Sequence, residues 1–360
     1  MTFYRFIISL VFSAACVFSI YSQQTKILTA EKHNEYGLVY TLPITAFEVE
    51  VETEREIRKA GKYYQYAKIY TGADNVVTKD EEIWRIKNVK VRPYGVPDPE
   101  SRYLMQLKAG ALTFIETDAD GMILAINTKT DPVPSKTQDV VERKGLELED
   151  EEYLKFMGED YRAAISNAKK ASLLGEELIE IREAKLALTR GTAETMPTDG
   201  RQLELMLASL ERQEAAINAA FAGNVIKETS KRRFTFIPDG NSRKVLFRMS
   251  SFNGPVAADD YSGAPVYVKV NILEEGKLPV DAKGEEKKLP KDAVMYCIPG
   301  TASVSLEFEG AKLFEKEFEV AQFGMVFGLN PSLFTDKKEP SYAIFNTATG
   351  SLKELGIVKE

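Results

Sequence analysis

Residues 199–236 read DGRQLELMLASLERQEAAINAAFAGNVIKETSKRRFTF, and inside this stretch the hydrophobic period changes from that of a helix to that of a strand. Leu203, Leu207, Leu210, Ile217 and Phe221 recur in steps of three, four and seven, which puts them on one helical face. Asp199 can accept a backbone N–H at the start, with Gln202 at the third helical position as in a capping box, and Gly223 stops the helix. Beyond Arg232 the period is two, with Phe234 and Phe236 flanking Thr235. One chain that commits to both periods in sequence points to an α+β fold.

Upstream, from Asp160 to Arg190, the residues Ala164, Ala168, Ala171, Gly175, Leu178, Ile181 and Leu188 also share a face, and Gly191 ends the run. The small members of that stripe would let another element approach closely. About eight residues separate the two helices, so they should pack antiparallel as a long hairpin over residues 159–224. Arg182 on the first helix and Glu214 on the second are placed for a structural ion pair across it.

The strand period dominates on both sides. From Gly37 to about Thr128 the apolar residues Leu38, Tyr40 and Leu42, then Phe47, Val49 and Val51, alternate with polar neighbours. Asp118-Ala119-Asp120-Gly121 separates two apolar runs as a hairpin turn. Lys62 to Thr71 is an exception with helical spacing, capped by Gly72. After residue 225, short alternating runs such as Val266, Val268, Val270 and Val304, Leu306, Phe308 argue for an antiparallel sandwich. The expected organisation is an N-terminal β-rich domain (23–128), a flexible connector (129–158), the helical hairpin, and a C-terminal antiparallel β-sandwich domain (225–360).

Residues 1–22 place Arg5 before an unbroken apolar run from Phe6 to Ile20, followed by Ser22, Gln23 and Gln24, the pattern of a secretory signal peptide. Ser13-Ala14-Ala15-Cys16 also has the form of a lipobox, which would make Cys16 a lipid-anchored residue, although Val17, Phe18 and Ile20 continue the apolar run beyond it. Ordinary cleavage near Ser22 and lipidation at Cys16 are therefore both open, and neither leaves a transmembrane helix. Loss of Arg5 takes the 47 basic side chains to 46 against 54 acidic ones, a mildly acidic chain. Its densest basic run, Lys231-Arg232-Arg233, is too short for a nucleic-acid footprint.

Chemistry-bearing patterns are sparse. His33 is the one histidine, so a histidine-based triad or a histidine-rich zinc site has nothing else to draw on. Asp118 and Asp120 resemble the start of a calcium loop, but the twelfth position is Asn127 where a bidentate Glu is needed. Phosphate-binding and nucleophile-elbow motifs do not occur. Carboxylates are abundant, so a paired-acid hydrolase is not excluded by composition, yet Glu48, Glu50 and Glu52 alternate outward and Glu147 to Glu152 belong to the connector. No catalytic residue, cofactor or metal site is assigned. Cys297 in Met295-Tyr296-Cys297-Ile298 reads as a small buried strand residue. Tyr63, Tyr64, Tyr66 and Trp84 are a candidate aromatic platform for a glycan or peptide, the alternative being that they fill the core.

Several stretches carry a resemblance. Tyr40-Thr41-Leu42-Pro43 with Thr45, Gly61 to Ala67, Ile181-Arg182-Glu183 and Met196-Pro197-Thr198-Asp199-Gly200 resemble a family of exported proteins of unknown function from the Bacteroidota. Gln213-Glu214, Phe221 with Gly223, Tyr296 with Pro299-Gly300, and Ala321-Gln322-Phe323-Gly324 extend the likeness along nearly the whole mature chain. The resemblance implies an envelope with two membranes and an address in the periplasm or on the periplasmic face of the outer membrane. It brings no activity, cofactor or catalytic residue. The expectation is a non-enzymatic envelope protein that binds other proteins as a scaffold or accessory component, with outer-membrane proteins as partners. A glycan- or peptide-binding module is the alternative, and a carboxylate hydrolase the third reading.

Overall fold

The computed structural model describes residues 24–27, 38–106, 114–130, 141–290, 292–336 and 339–358. Residues 1–22, where a signal peptide is expected, and Cys16 and His33 lie outside the described residues. The first part of the chain runs β1 (Gln24–Ile27), β2 (Leu38–Lys59), α1 (Ala67–Tyr70), β3 (Glu81–Gln106), β4 (Ile115–Thr117), β5 (Ile123–Ile126) and β6 (Glu142–Lys144). Helices α2 (Glu159–Ala163), α3 (Asn167–Arg190) and α4 (Gly200–Ala222) follow. The rest is β7 (Asn224–Phe236), β8 (Ser242–Ser250), β9 (Gly254–Val256), β10 (Ala264–Glu274), β11 (Val294–Phe308), β12 (Ala311–Leu329), α5 (Ser332–Thr335), β13 (Ser341–Phe345) and β14 (Leu352–Ile357).

Three antiparallel sheets result, ordered β1-β3-β2-β7-β6, β12-β11-β10-β8-β9 and β14-β13-β5-β4. The short runs expected before residue 107 join into two long strands, β2 and β3, paired from Leu38 to Arg58 with register shifts at Thr41/Pro43 and Glu52/Thr53. Prolines do not break them because Pro43 sits at a bulge, while Pro93 and Pro97 lie where β1, paired only to Tyr103–Gln106, leaves one edge of β3 free.

The first two sheets face each other as a sandwich. Phe47, Val49, Val51 and Val89 from the first meet Phe247, Val266, Val268, Val304, Leu306 and Val320 from the second. Phe234 stacks on Phe247 with centroids 4.4 Å apart, and Phe47 lies between Phe236 and Phe318. The antiparallel C-terminal sheet thus finds its facing layer in β2, β3 and β7, and β7 itself is hydrogen-bonded along β2. The third sheet likewise joins both ends of the chain, since β13 pairs with β5 and Tyr40, Met105, Ile126, Phe334 and Phe345 share one core.

Beyond the sandwich, the hairpin of α3 and α4 has a core of its own, built from Tyr63, Ala67, Tyr153, Met157, Tyr161, Leu174, Leu178, Ile217 and Phe221. Here two expectations need correction. The helix read from Asp160 to Arg190 is broken at Ala164, which is extended, and α3 starts afresh where the Ser166 side chain accepts from Lys169 N. Residues 141–158, read as part of a flexible connector, are packed: β6 pairs with β7 and Tyr153 and Met157 are buried. The remainder, 131–140, lies outside the described residues. Helix α4 ends as expected at Gly223, whose φ of 83° brings it against Lys59 O and the Val77 side chain.

Candidate functional site

The aromatic residues singled out from the sequence do not form one surface. Tyr63 is 2% exposed, and its hydroxyl lies 2.6 Å from that of Tyr161 in the hairpin core. Tyr161 in turn donates to Tyr153, which donates to Glu151. Burial raises the Tyr153 and Tyr161 hydroxyl pKa values well above the ordinary tyrosine range. Tyr66 packs half-buried on the same core, and Tyr64 is exposed beside it. Trp84 is elsewhere, at one margin of the sandwich, with Gly254 against its ring and the Arg55 guanidinium 5.6 Å from its centroid.

Several carboxylates are held in place by cations. On β2, Glu48, Glu50, Glu54 and Glu56 form a ladder between cations of the two flanking strands, including Arg85, Lys87 and Arg92 on β3 and Lys227, Lys231 and Arg233 on β7. Glu50 and Glu56 are buried under these partners, which for Glu50 corrects its reading as an outward, solvated acid. Glu152 corrects it again: it is 4% exposed and held by the Arg212 fork and by Glu149 N. Those bonds, led by Arg212, keep its pKa below the ordinary glutamate value. Its neighbour Glu151, with a left-handed φ of 53°, is lowered chiefly by Lys62. Both line a cleft of about 440 Å³ between the β2–β3 loop and the root of α4. Among the described residues Glu177 on α3 is pushed upward, by burial and then by Glu180. Among the described residues no group of three or more His, Cys, Asp or Glu is set to hold a metal ion.

The hairpin itself presents a different kind of site. Arg182 Nε donates to Glu214 Oε1 at 2.8 Å and Lys185 Nζ to Glu214 Oε2 at 2.8 Å, clamping the two helices together midway. Below the clamp, α4 buries Ala216, Ile217, Ala220 and Phe221; above it, residues 200–215 bury no side chain, and α3 beyond Ile181 buries only Leu188. A two-helix layer cannot cover its own apolar faces there. Between the free halves lies a groove of about 540 Å³, floored by Ala184, Ala187 and Ala193 and walled by Leu188, Met206 and Leu210. Met206 in its wall, Leu205 next to it in sequence and Met196 in the loop between the helices are each more than a third exposed.

A family model described as a domain of unknown function, DUF4831, matches residues 36–353. The chain belongs to the DUF4831 family. No curated protein and no solved structure matches it. The matched span of this DUF4831 chain takes in the sandwich, the third sheet's core and the whole hairpin, so the groove is part of the family domain. The sequence stripe Leu203, Leu207, Leu210 touches the groove only through Leu210, because Leu203 and Leu207 do not line it. The legible trace in this chain is Leu205-Met206: they are apolar but off that stripe, making the first turns of α4 apolar on more than one face.

Proposed function

We propose that this chain is an exported, non-catalytic binding protein of the cell envelope that engages another protein through the groove at the free end of the α3–α4 hairpin. The observation that carries this reading is the groove itself, an apolar surface at the free end of the hairpin with exposed Met206 in its wall and exposed Leu205 next to Met206 in sequence. The export part rests on Arg5 and the apolar run Phe6 to Ile20, and the periplasm or the periplasmic face of the outer membrane is the proposed address. No helix among the described residues is long and apolar enough to cross a membrane. A non-catalytic role fits carboxylates whose charges are committed to Arg and Lys, as at Glu56, Glu152 and Glu214.

A photo-crosslinking amino acid placed at Leu205, and separately at exposed Ile69 on α1 as a control, tests the proposal in intact cells. Capture of a defined envelope protein from Leu205 and not from Ile69, with the chain fractionating outside the cytoplasm, is expected. A chain retained in the cytoplasm, or equal capture from both positions, overturns it.

A further inference from the structure

The occupant of the groove can be narrowed from its shape and rim, resting on the docking role just proposed. Ala184, Ala187, Ala193 and Ser209 make the floor low, so a partner backbone can come close, while Leu188, Met206 and Leu210 give walls that accept long apolar side chains. Two antiparallel helices with a shallow furrow between them form the seat for a third helix. A volume of about 540 Å³ holds only a few large side chains, which a partner helix would supply from successive turns.

The charges select further. Glu194 lines the groove, and Glu180 and Glu183 lie one turn before Ala184 and Ala187 on the same side of α3. No ion pair holds any of these three among the described residues, whereas Arg182 and Lys185 are spent on Glu214 and Arg212 on Glu152. On α4, Gln202 lies one turn before Met206 and Gln213 one turn after Ser209, and Arg190 at the end of α3 and Arg201 in the first turn of α4 are the cations at this end of the hairpin. Three unpaired acids against these two cations disfavour a second copy, because a two-fold contact would set an acidic rim against itself. A basic helix would neutralise it.

We infer that the groove receives an amphipathic helix of a partner protein that presents large aliphatic side chains on one face and Lys or Arg beside them. Two fluorescent peptides of about 18 residues, roughly five helical turns, test this by anisotropy against the full chain: one a Leu/Lys amphipathic helix, the other its Leu/Glu counterpart. The Leu/Lys peptide should bind about tenfold or more tightly than the Leu/Glu peptide. Its affinity should fall by a similar factor in Ala187→Trp, which fills the floor, and in the surface variant Glu194→Lys, which leaves the floor untouched. Equal binding of the two peptides, or indifference to Glu194→Lys, overturns the inference. Dimerisation of the chain by light scattering that Ala187→Trp abolishes also overturns it and makes a second copy the occupant. If neither peptide binds while Leu205 still crosslinks an envelope protein in cells, the helix inference falls and the docking role stands.

Discussion

Thr45 is the point at which three separate parts of the chain are fastened, and removing its hydroxyl while keeping its shape should be costly. The side chain is 0% exposed. Its Oγ1 accepts from Ala321 N on β12 at 2.9 Å and donates to Ala348 O in the β13–β14 loop at 2.9 Å. Thr45→Val puts a methyl in place of the hydroxyl and leaves both backbone groups without that partner. A buried donor or acceptor left unsatisfied costs about 1–3 kcal/mol, and the carbonyl, with its second lone pair, should sit at the low end, so about 2–4 kcal/mol is expected. Thr45→Ser keeps both bonds and loses one methyl, so it should cost about 1 kcal/mol. Thr53, also 0% exposed, is the internal control, because its hydroxyl meets only Ser230, at 3.2 and 3.5 Å; Thr53→Val should cost well under half as much as Thr45→Val. Urea denaturation followed by tryptophan fluorescence and circular dichroism reads all three. A Thr45→Val variant within about 0.5 kcal/mol of the parent, the range of ordinary surface changes, would refute the claim that this hydroxyl ties β2 to β12 and the C-terminal loop.

At the hairpin root, Gly175→Ala would place a Cβ 2.3 Å from Tyr70 Cδ1. The gain of about 1 kcal/mol in helix propensity should be outweighed by overpacking of about 1–3 kcal/mol, lowering the thermal midpoint, and shortening Tyr70 should remove the penalty. The lowered pKa of Glu152 stabilises the fold above the ordinary glutamate range, and that contribution is lost as pH falls through the depressed folded value. Stability measured from pH 7 down to about 3 should therefore show a shallower acid limb in Arg212→Gln than in the parent; identical limbs would discount the pair. Burial pushes the Cys297 thiol up to about 12, so it should react with a thiol reagent only when the chain is denatured. Fast labelling of the native chain would contradict its place beneath β12.

Local signals in the sequence were strong wherever a decision depended on a few neighbouring residues. The Asp199 cap, with Oδ1 accepting from Gln202 N at 2.8 Å, the Gly223 stop and the Arg182–Glu214 contact all depend on residues within one hairpin. The turn at Asp118–Gly121 works the same way, with Asp118 Oδ1 accepting from Asp120 N and Met122 N. What was not legible depends on partners far along the chain. Nothing near Glu50 announces that Lys231 and Arg233 will cover it, and nothing near Glu152 points to Arg212. Tyr63 and Trp84 are alike as sequence but lie in different cores, because β2 and β3 run past the sandwich and carry the Tyr63 loop to the hairpin while Trp84 stays at the margin.

The same topology explains how an apolar groove can be raised without weakening the scaffold. Helix α4 passes through Gly223 directly into β7, and β7 is zipped to β2 from Asn224 to Phe236. The hairpin is therefore rooted in the middle of a sheet rather than hung from a linker. Its base adds a second hold, since Tyr63 N donates to Ala220 O and Val77 N to Ala222 O, so the β2–β3 loop grips the last turn of α4. On α4, fully buried apolar side chains end at Ala216, next to the salt-bridged residue Glu214. Substitutions beyond that clamp, at Ala187, Glu194 or Leu205, touch neither the sandwich nor the hairpin core. Changes in partner binding there can be separated from changes in folding, a separation that positions below the clamp do not allow.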